Sequence, residues 1–379
     1  MEFDFEDLRP FNDSEAKDVL RSVSLDDLLP SVMHYLYPGR KVEEMRNQLL
    51  SLSTIRDFQE HIMVPGIREA VRKTSTNLTM KGLEKIQHNT KHIYIANHRD
   101  IVLDAALLDV YLIENGMDSL QITFGSNLMK GDFVVNIGKL NKMFRIMRGG
   151  NIRDFYRNSV EVSSYMRKMV CQENESVWIA QRNGRTKDGM DKTELGVLKM
   201  FALSSDKSFV DNLDELSITP VCISYEYEPC DFLKTAELYI SRYQKYVKAE
   251  NEDLNSILTG FKQYKGDIHL SITDPITRDE LQRCDESDKN EKFEQLARLI
   301  DQRIDNCRTY YKTNYIAYDL LESSRPYDSK YTVAEKDDFI EYMETGLDNL
   351  GIAADKSELR DIFLHIYANC LISKNNKTR

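Results

Sequence analysis

The sequence predicts an α/β protein: a central mixed sheet flanked by helices, with helical extensions at both ends. Three observations carry this. Residues 41–73 place apolar side chains at helical spacing. From Leu78 to Pro275, short apolar runs alternate with longer amphipathic segments, as in an α/β sheet. Beyond Pro275 the helical period returns and holds to the end. The chain is therefore expected to divide into an N-terminal helical region (1–77), an α/β domain (78–275) and a C-terminal helical region (276–379).

Taken in order, helices are expected at 41–51 and 55–73. The second carries a stripe of Phe58, Ile62, Met63, Ile67 and Val71, and ends among Arg68, Arg72 and Lys73, where cations suit the helix dipole. Such a stripe either packs on the domain or lies on a bilayer surface. Strands follow at 92–97, 120–124, 143–147, 176–181, 217–225 and 267–273, with helices near 101–115, 153–172, 193–203 and 253–264. The last hundred residues read as helices near 277–284, 289–310, 312–323, 333–349 and 356–373.

Composition excludes some classes. A net charge of -11 argues against a nucleic-acid binder. The six cysteines show no C-x2-C spacing, so neither a zinc nor a redox motif is expected. The opening residues MEFDFEDL are acidic, with no apolar run of signal-peptide type. No stretch approaches the roughly 18–20 apolar residues that span a bilayer. A cytoplasmic protein is the expectation, touching lipid only as a peripheral protein on the inner membrane face.

Four clusters carry candidate chemistry. The first, Asn97-His98-Arg99-Asp100-Ile101-Val102-Leu103-Asp104, ends a strand and opens a helix. That places an imidazole at the carboxyl edge of the sheet, where open α/β sheets bind ligands. Asp100 and Asp104 lie one turn apart, and either is placed to orient the ring for work as a base. The plain alternative is a helix start with Asp100 as N-cap and a surface histidine. The His-Arg-Asp triplet copies a kinase motif, but Ala105 stands where that motif needs Asn, and no nucleotide loop precedes it. Residues 131–139 likewise lack phosphate-loop spacing.

The second cluster is basic. Eight cations between Gly138 and Lys168 face only Asp154 and Glu161. Within it Arg148-Gly149-Gly150 ends a strand, where a guanidinium grips a phosphate bidentately and glycines allow close approach. A solvated helix face with a tight turn is the bland reading. The third cluster, Gln181-Arg182-Asn183-Gly184-Arg185-Thr186-Lys187, suits an oxyanion or phosphate better than a metal, or is simply a polar loop. The fourth, Ile218 to Glu228, carries Pro220, which marks either a ligand-facing opening or a buried strand.

In this order and spacing the clusters resemble the glycerol-3-phosphate and 1-acylglycerol-3-phosphate acyltransferase superfamily, over residues 78–275. The texture is similar to the soluble Bacteroidetes-type phospholipid acyltransferases. His98 to Asp104 looks like the family's H-x4-D block, one residue longer. Phe144 to Arg148 looks like its second block, Gln181 to Thr186 its third, with Asn183 where Glu is usual, and Ile218 to Tyr225 its fourth. The resemblance implies acyl transfer from acyl-CoA or acyl-carrier protein to a lipid-precursor hydroxyl. It implies His98 as base, Asp104 as its partner with Asp100 a rival, and Arg148, Arg185 and Lys187 on the acceptor's anion. Asn183, Gly184 and Thr186 would complete the substrate loop, with Pro220 at the acyl site. No bound cofactor, no metal and no nucleic acid are expected. The expected partners are the acyl carrier, the lipid acceptor and the membrane surface. Rival readings are O-acylation of an acyl-amino acid, a thioesterase, and a non-catalytic lipid- or carrier-binding protein of the same fold.

Overall fold

The computed structural model describes residues 3–37, 39–128, 131–147, 151–286, 288, 291–322 and 324–377. One sheet holds seven strands: β1 (Asn77–Lys81), β2 (Ile93–Ala96), β3 (Gln121–Gly125), β4 (Met143–Ile146), β5 (Val177–Ala180), β6 (Ile218–Tyr225) and β7 (Asp267–Ile272). They lie in the order β1-β7-β6-β2-β5-β3-β4. The five from β6 to β4 run parallel, β7 is antiparallel to β6, and β1 is parallel to β7. The sheet is therefore mixed. Six strands coincide with the apolar runs of the sequence. The seventh, β1, is not foreseen, because an edge strand paired on one side needs no apolar run. Its Asn77, Thr79 and Lys81 stand exposed.

Before the sheet come α1 (Asp13–Leu25), α2 (Leu29–Leu36) and α3 (Val42–Ser51). The next helix starts as α4 (Ile55–Phe58), passes through a π turn at Gln59–Met63 and continues as α5 (Val64–Thr74). Pro65, just beyond the turn, has no N–H to continue an α ladder, which accounts for the widened turn there. Phe58, Ile62, Ile67 and Val71 are all buried, so the stripe packs inward.

Within the sheet region lie α6 (Leu103–Glu114), α7 (Asp132–Leu140), α8 (Ile152–Cys171), α9 (Leu195–Phe201), α10 (Phe209–Asp214), α11 (Asp231–Tyr243) and α12 (Glu252–Lys262). Helices α7, α10 and α11 escape the periodicity reading. Two are short, and α11 buries Asp231, Lys234 and Thr235 rather than an apolar stripe. The chain closes with α13 (Arg278–Asp285), α14 (Lys292–Cys307), α15 (Lys312–Leu321), α16 (Val333–Asp348) and α17 (Lys356–Lys377). Among the described residues no helix is long and apolar enough to cross a membrane.

Strand alternation sends side chains to two cores. Ile93, Ile95, Val177 and Ile179 pack with α8, α9 and α14. Tyr94, Ala96, Ile122 and Trp178 face α5 and α6. Helices α1–α4 form a third core with Phe133 and Leu140 of α7, and α15–α17 a fourth. The central strand β2 thus ends, at its carboxyl edge, between cores on every side.

Candidate active site

Three ties fix the end of β2. The Asn97 amide clamps the neighbouring strand, donating to Ile223 O at 2.9 Å and accepting from Ile223 N at 2.8 Å. The 181–191 loop zips onto the other side: Gln181 N donates to Ala96 O, and Thr186 N to His98 O at 2.7 Å. His98 is held between them.

Its Nδ1 lies 2.9 Å from Asp104 Oδ2. The same oxygen accepts from the backbone N–H of Arg99 at 2.5 Å and of Asp100 at 2.9 Å. Asp104 Oδ1 accepts from the Tyr225 hydroxyl at 2.8 Å. Burial and the adjoining Asp104 carboxylate push the Tyr225 hydroxyl well above its ordinary range, so it stays a donor. With Nδ1–H given to Asp104, Nε2 is the lone-pair nitrogen, and it has no hydrogen bond among the described residues. The arrangement is that of an oriented base.

Asp100 does a different job. Its Oδ1 accepts from Val102 N and Leu103 N at 2.9 and 2.8 Å, capping α6. Its Oδ2 is buried without a partner among the described residues, against Gly260 of α12. Burial and the nearby Asp104 hold its carboxyl above the usual range.

Beneath the loop lies a buried ionic network. Asp191 Oδ2 accepts from Arg99 and Arg308, each at 2.7 Å, and Oδ1 from the Thr186 hydroxyl at 2.7 Å. Burial alone would raise the Asp191 carboxyl, but the two guanidiniums outweigh it and hold it far below the usual range. Arg99 also meets Glu228 at 3.1 Å, and Lys234 joins Glu228 at 2.6 Å to Arg99 O at 2.9 Å. Asp191, Glu228, Lys234 and Arg308 have no motif signature. Each lies far from His98 in sequence, and only folding brings them together.

The remaining sequence candidates divide. Arg185 is half-buried near Asp100, Cys230 and Asp253, and its Nη1 has no partner. Thr186 is fully buried and structural. Lys187 pairs with Glu237 of α11. Asn183 is exposed and its N–H donates to Glu194. Gly184 has φ +78 with open space around it. Pro220 sits inside the sheet opposite Ile95, its carbonyl bonded to Thr273, so it lies in a buried strand and not at an edge. Arg148 lies outside the described residues. Much of the basic segment is neutralised locally: Lys142 pairs with Glu175, Arg167 with Glu215 and Lys168 with Glu173. Arg153 and Arg157 stand exposed at the start of α8 beside Phe155 and Tyr156.

His98 opens onto a small pocket with Trp178, whose ring meets the imidazole edge-on at 5.5 Å. This pocket shares Val102, Ile122, Phe124, Leu128 and Met143 with a much larger apolar cavity of about 1210 Å³. Helices α2, α5, α6, α7 and α12 wall that cavity. It exceeds the ~300–1,000 Å³ common for ligand sites. Among the described residues no three His, Cys, Asp or Glu side chains gather as a metal site.

Fold and site together define a class: an α/β protein with a carboxylate-oriented histidine at the sheet's carboxyl edge, beside a large apolar cavity. No family model and no curated protein matches the chain. Among solved structures, the chain is similar to the 1-acyl-sn-glycerophosphate (LPA) acyltransferase PlsC of Thermotoga maritima. The TM-score is 0.37 and the identity 13%, over 78% of this chain and 97% of that one.

Proposed function

We propose that the protein is an O-acyltransferase that moves a fatty acyl group from acyl-CoA or acyl-carrier protein to the hydroxyl of a glycerol phosphate or lysophosphatidate. The observation that carries this reading is the His98–Asp104 pair at a small pocket that shares a wall with the large apolar cavity. A cavity of ~150 Å³ takes benzene, or about 25 Å³ per carbon, so a sixteen-carbon chain needs about 400 Å³. The large cavity that adjoins the His98 pocket exceeds that.

In the proposed step His98 Nε2 takes the acceptor's proton as its oxygen attacks the thioester carbonyl. The C–S bond then breaks and the imidazolium returns the proton to the leaving thiolate. Asp104, held by Tyr225 and two backbone N–H groups, supports the transient imidazolium. Arg185, in the loop that bonds to His98 O through Thr186, is the cation proposed for the acceptor's phosphate. The exposed apolar side chains of Leu28, Val32, Leu254 and Leu258 line the cavity and suit entry from a membrane surface. A peripheral position on the cytoplasmic face follows from that reading.

The test is thiol release from a long-chain acyl thioester, with glycerol-3-phosphate, lysophosphatidate, an N-acyl amino acid or no acceptor. Release that needs a phosphate acceptor and is lost in His98→Ala supports the proposal. Dependence on the N-acyl amino acid transfers it to aminolipid synthesis. Release without acceptor means hydrolysis, and activity surviving in His98→Ala overturns the mechanism.

A further inference from the structure

The apolar cavity is not apolar throughout. Gln59, in the π turn, lines it and is 1% exposed, yet among the described residues neither its Oε1 nor its Nε2 has a hydrogen-bond partner. A buried carboxamide left unpaired is costly, and native proteins rarely leave one so. Asp109 of α6 lines the same cavity and is buried, with Oδ1 accepting from Leu120 N at 2.7 Å.

Both groups lie far from the imidazole. Val102, which borders the His98 pocket, and Asp109 are seven residues apart along α6, about 10 Å at 1.5 Å per residue. Leu120 leads into the amino end of β3, opposite the sheet edge that holds His98. Arg56, one turn before Gln59, donates to Met117 O at 2.8 Å, just past the end of α6. The π turn therefore stands at the distal end of the cavity.

Resting on the acyltransferase reading, we propose that Gln59 selects a chain hydroxylated in its distal part. A hydroxyl both donates and accepts, as a carboxamide does, so once the Gln59 side chain, whose amide atoms are closed to water as placed, turns into the cavity, one such group satisfies the amide where a plain methylene cannot. The π turn fits this role, since such turns re-aim side chains and recur at functional positions. A hydroxyl next to the carbonyl would lie beside His98 and out of reach.

Equilibrium displacement of an environment-sensitive fluorescent fatty acid from the full chain tests this without requiring turnover. The competitors are hexadecanoic acid and its isomers hydroxylated next to the carboxyl, at mid-chain and at the terminal carbon. The expected result is mid-chain or terminal hydroxylation binding about five- to tenfold tighter than the plain chain, the worth of about one net hydrogen bond. In Gln59→Leu, which conserves volume, the order reverses. Equal or tighter binding of the plain chain by the unsubstituted protein overturns the inference and leaves the amide to a buried water. Preference for the carboxyl-adjacent isomer, or a distal preference that survives Gln59→Leu, overturns it too. If no fatty acid displaces the probe, the chain-binding reading of the cavity falls as well. Thiol transfer without distal preference sinks only the role of Gln59.

Discussion

Asp104 Oδ2 takes three hydrogen bonds, from His98 Nδ1 and from the backbone N–H groups of Arg99 and Asp100. Two of those donors cannot turn away, so an Asn at 104 must keep its oxygen there and present its amide to the Tyr225 hydroxyl, which can reverse its role. The imidazole keeps its tautomer and loses only the negative charge beside it. Asp104→Asn is therefore expected to lower kcat by about 10²–10³-fold, within the range of general acid–base contributions, with an unchanged far-UV spectrum. Asp100→Asn should stay within a few-fold of the parent, because Asn caps a helix as well as Asp. Steady-state kinetics on the two variants checks this, and equal losses would mean that Asp100 belongs to the catalytic pair. Both aspartates were legible in the sequence as candidates. The resemblance favoured Asp104 with Asp100 a rival, but spacing alone did not divide them, since it puts both on one face and the backbone path of 99–103 decides which turns toward the ring.

Among the elements, α12 controls the active-site loop through a contact with no side chain. A Cβ at Gly260 would lie 2.1 Å from Asp100 Oδ2, the oxygen of the very carboxylate that caps α6. Gly260→Ala must push α12 outward or displace the cap. The expected cost is about 1–3 kcal/mol of stability, as for other overpacked sites, with a loss of activity if the chain moves His98. Urea denaturation alongside kinetics reads both, and a neutral substitution would show that α12 sits more loosely than its contacts indicate. The helix itself was readable from its period, but its glycine was not. The period says which side faces inward, not what it approaches.

At the scale of the molecule, the C-terminal helices are tied into the site and not appended to it. Arg308, just past α14, reaches Asp191 under the 181–191 loop, and Asn369 of α17 donates to Asp188 O. Asp231, at the start of α11, accepts from Tyr342 of α16 and Tyr367 of α17 at 2.8 and 2.6 Å. Burial pushes the carboxyls of Asp231 and Asp109 up to about 6, from an ordinary 3.8. Between those values the folded state holds the two protons more tightly than the unfolded chain, so the contribution of these two groups to stability falls as pH rises from about 4 to about 6 and levels off above. Each contributes on the order of 3 kcal/mol to that fall. Asp191 acts in the opposite sense only below 3.8, whereas burial holds the His92 ring down to about 4 and opposes the fall within this window, and buried Asp100 adds to it. Asp231→Asn should remove its share of the slope and leave that of Asp109, as measured by urea midpoints across pH 4–7. An unaltered slope would place the titration elsewhere.

The sequence by itself determined the local matters. Apolar runs and helical periods placed six strands and most helices, because burial of one face is written at spacings of two and 3.6 residues. It also placed His98 at a strand end, since that position depends on one strand alone. Tertiary structure alone decided what depends on residues far apart in sequence. It set Tyr225 on Asp104 across 121 positions, brought Arg308 to Asp191 across 117, paired Lys187 with Glu237, and left the Gln59 amide without a partner among the described residues at the end of a cavity. These contacts carry no periodic signature, because a polar side chain's partner is fixed by how elements pack and not by its neighbours along the chain.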